Sequence, residues 1–156
     1  MDFFYPNFSN DMWRIWGLLY FGDKNHFVDM EGKCFRKEEI ISFLTEKGIA
    51  LYDTATAVVR TKNTASDKDL EVVEQTDIDA LLSQMPFCRA IVTTGQKATD
   101  IVCAHYSIAQ PPVGGFITFR FQQREIRLYR MPSSSRAYPL KIEQKAEKYR
   151  LLDDFL

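Results

Sequence analysis

Helix-like and strand-like patterns alternate along this chain, and that alternation limits its fold more than any other feature. Met12, Ile15, Trp16, Leu19 and Tyr20 recur at the spacing of one helix face. Ser9 or Asn10 can cap the start of that helix and Gly22 can end it. A second helix is predicted over 37–47 on Ile40, Ile41 and Leu44, stopping at Gly48. Ile49-Ala-Leu-Tyr52 reads as a short buried strand, and a long polar segment follows it. Thr76-Asp-Ile-Asp79 has the form of a capping box, opening a helix through Leu81 and Leu82 that ends before Pro86.

The second half repeats the logic. Cys88–Gly95 reads as a strand turning sharply into a helix that carries Ala98, Ile101 and Val102. Pro and Gly pairs at 111–115 mark a loop. Phe116–Phe121 and Glu125–Arg130 are two β-like runs joined by a polar turn near Gln122-Gln123. A serine-rich loop leads to a final helix predicted over Pro139–Leu152, with Pro139 in its first turn. The pattern predicts an α/β domain with a short, largely parallel central sheet. Ligands in such sheets sit beyond the C-terminal strand ends, which points to Asp53, Thr93–Gly95 and Met131–Arg136.

A length of 156 residues fits one domain. Twelve Phe, seven Tyr and two Trp exclude a disordered chain. No apolar run reaches the roughly 18 residues of a membrane span, and the N-terminus lacks a basic signal-peptide region, so the expected compartment is the cytoplasm. Cys34, Cys88 and Cys103 are widely spaced without C-x-x-C, and His26 and His105 form no metal-binding pair. The expectation is therefore no disulfide, no metal and no cofactor, with His105 a structural histidine late in a helix.

The formal net charge of −1 hides an asymmetry. Residues 1–78 carry 9 Lys/Arg and 14 Asp/Glu, whereas residues 79–156 carry 11 and 7. Within 120–136, Arg120, Arg124, Arg127, Arg130 and Arg136 face Glu125 alone. Such a stripe attracts phosphates, or is the solvated edge of a β-hairpin. No P-loop, G-x-G-x-x-G or G-x-S-x-G is present. Thr93-Thr-Gly95 before a helix is either an anion site of backbone N–H groups or a tight connection.

Three stretches together resemble the uracil-DNA glycosylase superfamily. Phe4-Tyr-Pro-Asn-Phe-Ser-Asn-Asp-Met-Trp13 resembles the Y-x-H-P-x-N-x-F-W segment of the mismatch-specific and hypoxanthine-type branches, with Asn10 and Trp13 on its Asn and Trp. Gly48-Ile-Ala-Leu-Tyr-Asp53, with Arg60 and Asn63-Thr-Ala-Ser-Asp67, is similar to their G-I-x-L-x-D strand and the polar loop after it. Arg130-Met-Pro-Ser-Ser-Ser135 is similar to the P-S-x-S loop that enters the minor groove, and Ala90–Gly95 fits the core strand-to-helix turn. The match runs in order along nearly the whole chain and is nearest to a Bacteroides-type branch. Nothing matches the family's opening strand and its G-x-x-P loop, so a late-annotated start or a natural truncation is expected.

The resemblance implies a three-layer αβα fold and excision of uracil or another deaminated base flipped out of DNA, without metal or cofactor. It implies DNA containing a deaminated or mismatched base as partner, and a monomer, or a dimer in which a second copy replaces the absent strand. Asn10 would position the attacking water, or only cap its helix. Phe4 or Tyr5 would stack on the flipped base, or be core aromatics. Asp53 would order the base pocket, or form an Asx-turn. Ser133 and Ser135 would bond the leaving base or the backbone, with Ser134 in the same DNA-facing loop. Arg136 or Tyr138 would fill the emptied stack or touch phosphate, and Lys97 and Arg130 would add phosphate contacts. Two rival expectations are a non-catalytic nucleic-acid-binding module and a small-nucleotide-binding α/β protein using Thr93–Gly95.

Overall fold

The computed structural model describes residues 1–60 and 70–156, with side chains described for 1–54 and 75–156. Arg60 and Asn63–Asp67 of the proposed polar loop lie outside the described side chains. Among the described residues the protein is mixed α/β, with five α-helices and two-stranded and three-stranded sheets. It divides into two compact units, Met1–Leu51 with Pro132–Leu156, and Tyr52–Met131.

The first unit is built on α1 (Met12–Phe21), α2 (Lys37–Lys47) and α5 (Ile142–Tyr149). The apolar face read from sequence is the buried one: Met12, Ile15 and Trp16 are covered, and Trp16 meets Tyr149 of α5 edge-on at 5.4 Å. Gly22 and Gly48 end α1 and α2 in the left-handed conformation, at φ 65° and 69°, which a residue with a Cβ adopts at a cost. Between them a minimal hairpin pairs β1 (Val28–Asp29) with β2 (Cys34–Phe35) and buries Phe27, Val28 and Phe35. The C-terminal helix starts later than predicted, at Ile142, because turns at Tyr138 N–H to Ser135 O and Leu140 N–H to Tyr138 O occupy the preceding residues. A 3-10 segment, Arg150–Phe155, follows it.

The second unit contains the antiparallel pair β3 (Ala55–Arg60) and β4 (Leu70–Gln75), the helices α3 (Ile78–Gln84) and α4 (Gln96–Tyr106), and a three-stranded sheet. That sheet runs in the order β5 (Ala90–Thr94), β7 (Arg124–Met131), β6 (Gly115–Phe121). It is mixed rather than largely parallel. β5 and β7 are parallel, whereas β6 and β7 form a hairpin through the two-residue turn Gln122-Gln123, with Gln122 at φ 56°. Alternation along these strands sends Ile126, Leu128, Phe119 and Phe121 into one core with Leu82, Val102 and Cys103.

Two local predictions are corrected. Residues 49–53 take no regular strand, and Asp53 precedes β3 rather than ending a strand. Thr76 does not cap α3. Its hydroxyl donates to the carbonyl of Asp53, and Asp77 caps instead by accepting from Ala80 N–H at 3.0 Å. His105 is structural, as read from sequence. It lies 3.0 Å from Asp79, which also accepts from Tyr106, and these bonds, His105 first, hold the Asp79 carboxyl below its ordinary value.

Arg124 closes the C-terminus of α3. Its guanidinium donates to the carbonyls of Leu82, Met85 and Cys88 at 2.8, 2.7 and 3.1 Å. Arg124→Met removes three charge-assisted bonds, leaving Leu82 O and Met85 O only their backbone donors, so a loss of about 1–3 kcal/mol is expected, read as a lower urea midpoint at unchanged slope. In the first unit, burial and the Asp153 carboxylate push the Tyr20 phenol up to about 12. The folded state therefore favours the protonated phenol over the unfolded state, whose group titrates near 10.0. Stability curves of the wild type and Tyr20→Phe should differ by a constant amount below that pH. The difference should shrink as pH rises towards about 12, where the phenolate forms in the folded protein.

Candidate functional site

Asn10 and the serine loop, 125 positions apart, meet in the first unit. Asn10 and Ser135 form an isolated antiparallel bridge, and Asp11 N–H donates to Ser134 O at 2.7 Å. Around this backbone junction the chain assembles three groups of side chains.

The first group is the N-terminal segment. The N-cap position of α1 is Asp11 rather than Ser9 or Asn10, but Asn10 Oδ1 accepts from Met12 N–H at 2.9 Å and so serves the first helical N–H from one residue further out. Arg14, buried on α1, donates to the carbonyls of Phe8 and Asn10 and lies over the rings of Phe8 and Phe35 at 4.6 and 5.1 Å. Burial pushes its guanidinium below the ordinary value, the Arg136 charge adds to the drop, and Asp11 opposes it. Trp13 is fully buried and donates its indole N–H to Phe4 O at 3.1 Å. The rings of Phe3 and Tyr5 both lie 6.0 Å from Trp13, the first stacked and the second edge-on. Tyr5 has φ 50°, a left-handed conformation that is rare for a bulky residue and rarer before a proline. Phe4 and Tyr5 are half-buried, neither core residues nor free side chains.

The second group is the loop Pro132–Tyr138. Ser133 Oγ accepts from Ser135 N–H, and Ser135 Oγ accepts from Ala137 N–H. Both hydroxyls shape the loop as acceptors and keep a proton to donate. Ser134 is buried, whereas Ser135 and Arg136 are exposed.

The third group is ionic, and sequence reading missed it. Lys145 on α5 is fully buried, and its ammonium donates to Asp11 Oδ2 at 3.3 Å and to Ser135 O at 2.9 Å, 6.0 Å from the ring centre of Tyr138. Asp11, itself buried, also accepts from Arg136 at 3.4 Å. A signal did exist. Lys145 falls beside Ala146 and Tyr149 in the buried stripe of α5, where a lysine demands a buried acceptor. Tyr149 closes the floor of this region. Burial raises its phenol well above the ordinary value, with Tyr5 adding to the rise.

The remaining predicted residues belong to the second unit. Asp53 is exposed there, with its carbonyl bonded to Thr76. Lys97 is half-buried in the first turn of α4. Arg130 donates to Pro111 O and to the Gln96 side chain, which is tied in turn to Asp100 and Gln110. Thr93 is buried, its hydroxyl 2.9 Å from that of Thr99 and bonded to Tyr129 O, which is the geometry of a tight strand-to-helix connection. The arginine stripe is not a single feature. Arg124 caps α3, Arg127 lies 4.7 Å over Phe116, Arg120 bonds Gln123 O, and Arg136 pairs with Asp11. Among the described residues, no group of three or more His, Cys, Asp or Glu side chains is placed to hold a metal ion. No helix is long and apolar enough to cross a membrane among the described residues.

The Asp11–Lys145 pair makes a specific thermodynamic prediction. Asp11→Asn strands the buried Lys145 ammonium and is expected to cost about 3–5 kcal/mol, whereas Lys145→Met leaves Asp11 its Arg136 partner and should cost less. The double variant Asp11→Leu, Lys145→Met removes both charges and should recover most of that loss in a urea-denaturation cycle. Additive single losses would show that the pair is not coupled.

No family model, no curated protein and no solved structure matches this chain, so the reading of the junction rests on its own chemistry.

Proposed function

We propose that the chain is a DNA glycosylase-like base-excision protein of the uracil-DNA glycosylase type, hydrolysing the N-glycosidic bond of uracil or another deaminated base flipped out of DNA. The single observation that carries this reading is the junction itself. Two sequence stretches that resemble the family's water-positioning and DNA-entering segments, Asn10 and Ser133–Ser135, are joined by a backbone bridge. In the proposed three-layer αβα fold, the parallel pair β5 and β7 would belong to the central sheet. The proposed setting is cytoplasmic, with damaged DNA as the partner.

The chemistry asks for three things. The base must leave the stack to expose its glycosidic bond. Negative charge developing on the leaving base needs donors, which the hydroxyls of Ser133 and Ser135 retain. A water must be held at the sugar carbon as the bond breaks, and the Asn10 amide has a second carbonyl lone pair and an NH₂ group left after capping. Phe4 and Tyr5 supply the ring on which the extruded base stacks. The strained backbone at Tyr5 is the kind of outlier that accompanies a functional position. Arg136 presents an exposed cation beside the loop for phosphate.

A second reading, nucleic-acid binding without catalysis, is favoured by one specific fact. Asp11 is the carboxylate at the junction, and Lys145 and Arg136 already engage it, so it is not available as a general base. The two readings part on one assay. Duplex and single-stranded oligonucleotides carrying uracil, hypoxanthine or xanthine are incubated with the protein, and abasic sites are revealed by alkaline cleavage. The glycosylase reading expects strand breaks that fall on the order of 10²-fold in Asn10→Ala. They should also fall in Asn10→Ser, which keeps a cap for Met12 N–H but has no amide. If Asn10→Ser retains full activity, Asn10 only caps. Salt-sensitive binding without base release selects the second reading.

A further inference from the structure

The first unit carries a cleft that the glycosylase reading does not use. It has a volume of about 450 Å³ and is lined by Phe21, His26, Phe27, Phe43, Ser42 and three glutamates, Glu38, Glu39 and Glu46. It is a shallow, largely open depression, suited to a side chain laid across the surface rather than to an enclosed ligand. Its walls come from the last turn of α1, the segment entering β1 and one face of α2. The spacing of Glu39, Ser42, Phe43 and Glu46 on α2 sets carboxylates and an aromatic ring on a single helical face.

Two properties define what fits. The floor is aromatic: Phe27 and Phe43 are buried with ring centres 5.5 Å apart, and Phe21 lies 5.6 and 6.0 Å from them. Phe21 nevertheless remains 47% exposed, its ring laid flat on His26 at 3.7 Å and 6°. The rim is anionic. No Lys or Arg is among the lining residues; Arg36 reaches only Glu39, at 3.5 Å, while Glu38 and Glu46 have no ion-pair partner among the described residues. The exposed Phe21 ring beside unpaired carboxylates is the complement of a cation on an apolar stem, since ring quadrupole and carboxylate both attract it and the ring covers its methylenes.

We propose that this cleft is a docking site for an arginine side chain presented by a peptide segment of a partner protein. The guanidinium lies against the exposed Phe21 face in the field of Glu38, Glu39 and Glu46, and apolar residues flanking it cover the rest of Phe21. A phosphate-bearing partner is repelled by the same three carboxylates, so this site is separate from any nucleic-acid surface and does not depend on the proposed glycosylase activity.

The probe is a blocked peptide, acetyl-Gly-Leu-Arg-Leu-Gly-amide, titrated into the full chain and followed by ¹H–¹⁵N chemical shifts. A second peptide carries citrulline, which keeps the shape of arginine but is neutral. Shifts are expected at Phe21, His26, Ser42 and Phe43, with the citrulline peptide weaker by about tenfold. Glu38 and Glu46 are exposed, so the Glu38→Gln, Glu46→Gln variant keeps the fold and should weaken the arginine peptide by about fivefold. Phe21→Ala should weaken it by a similar factor, about fivefold, through the lost ring face. Free arginine amide separates the sources: equal binding of the amide and the peptide makes this a small-cation site and overturns the docking proposal. Equal binding of the two peptides, an unaffected glutamine variant, shifts confined to other residues, or no shifts up to about 5 mM peptide, would each overturn it as well.

Discussion

The first unit depends on a charge held out of water. Lys145 is fully buried in the middle of a helix, and removing an ammonium from water costs several kcal/mol unless acceptors surround it. Asp11 and the carbonyl of Ser135 supply them, one from the start of α1 and the other from the loop that leads into α5. A hydrophobic residue at 145 would pack in many registers against α1. An ammonium whose two acceptors lie on different segments fixes one register. That register brings the backbone of Asn10 against Ser135, and with it every other contact of the junction. Such a pair adds little net stability compared with a well-packed apolar substitute. Its contribution here is position.

The elements legible in the sequence were those whose determinants are local. α1 and α2 end at Gly22 and Gly48 because a left-handed terminal residue is a property of one position. The β5–α4 turn and the Gln122-Gln123 hairpin are equally local. What sequence reading missed involved partners far along the chain. Ile49–Tyr52 has the composition of a strand, yet strand formation needs a neighbour to pair with, and pairing is not encoded within four residues. The parallel expectation for the sheet failed for the same reason, since β6 follows its hairpin partner rather than the alternation of the whole chain. The arginine run is one stripe only along the sequence. Arg124 and Arg130 alternate with Arg127 across a pleated strand, so neighbours in the run face opposite sides.

The site was legible as fragments. Asn10 and the three serines could be singled out one segment at a time, whereas their meeting is a tertiary fact. Lys145 shows what could have revealed it. A charged residue on an apolar helix face, beside Tyr149, poses a question about its partner that only an acid near the other apolar face can answer, and Asp11 stands at the head of α1. Reading the two helices as a pair, rather than each for its own periodicity, would have linked residues 11 and 145 and so drawn 10 and 135 together.

The same pair also decides what chemistry remains possible at the junction. A carboxylate next to a candidate water-positioning amide would ordinarily be the first choice of general base, but Asp11 is committed to two cations in a buried setting, where its negative charge is what keeps Lys145 tolerable. Protonating Asp11 during a reaction would leave the ammonium unneutralised, so the structural and the basic roles exclude one another. Any bond cleavage here must then proceed with little help from a base. That suits a departing group stable enough as an anion to leave before water is fully deprotonated, and it fits poorly with a poor leaving group that needs a strong nucleophile. On the proposed glycosylase reading, donors to the leaving group outweigh a base in such a site, which would move the burden from Asp11 to the hydroxyls of Ser133 and Ser135. Under that reading, the interaction that holds the junction together would narrow it to leaving groups that ionise by themselves once their developing charge is met.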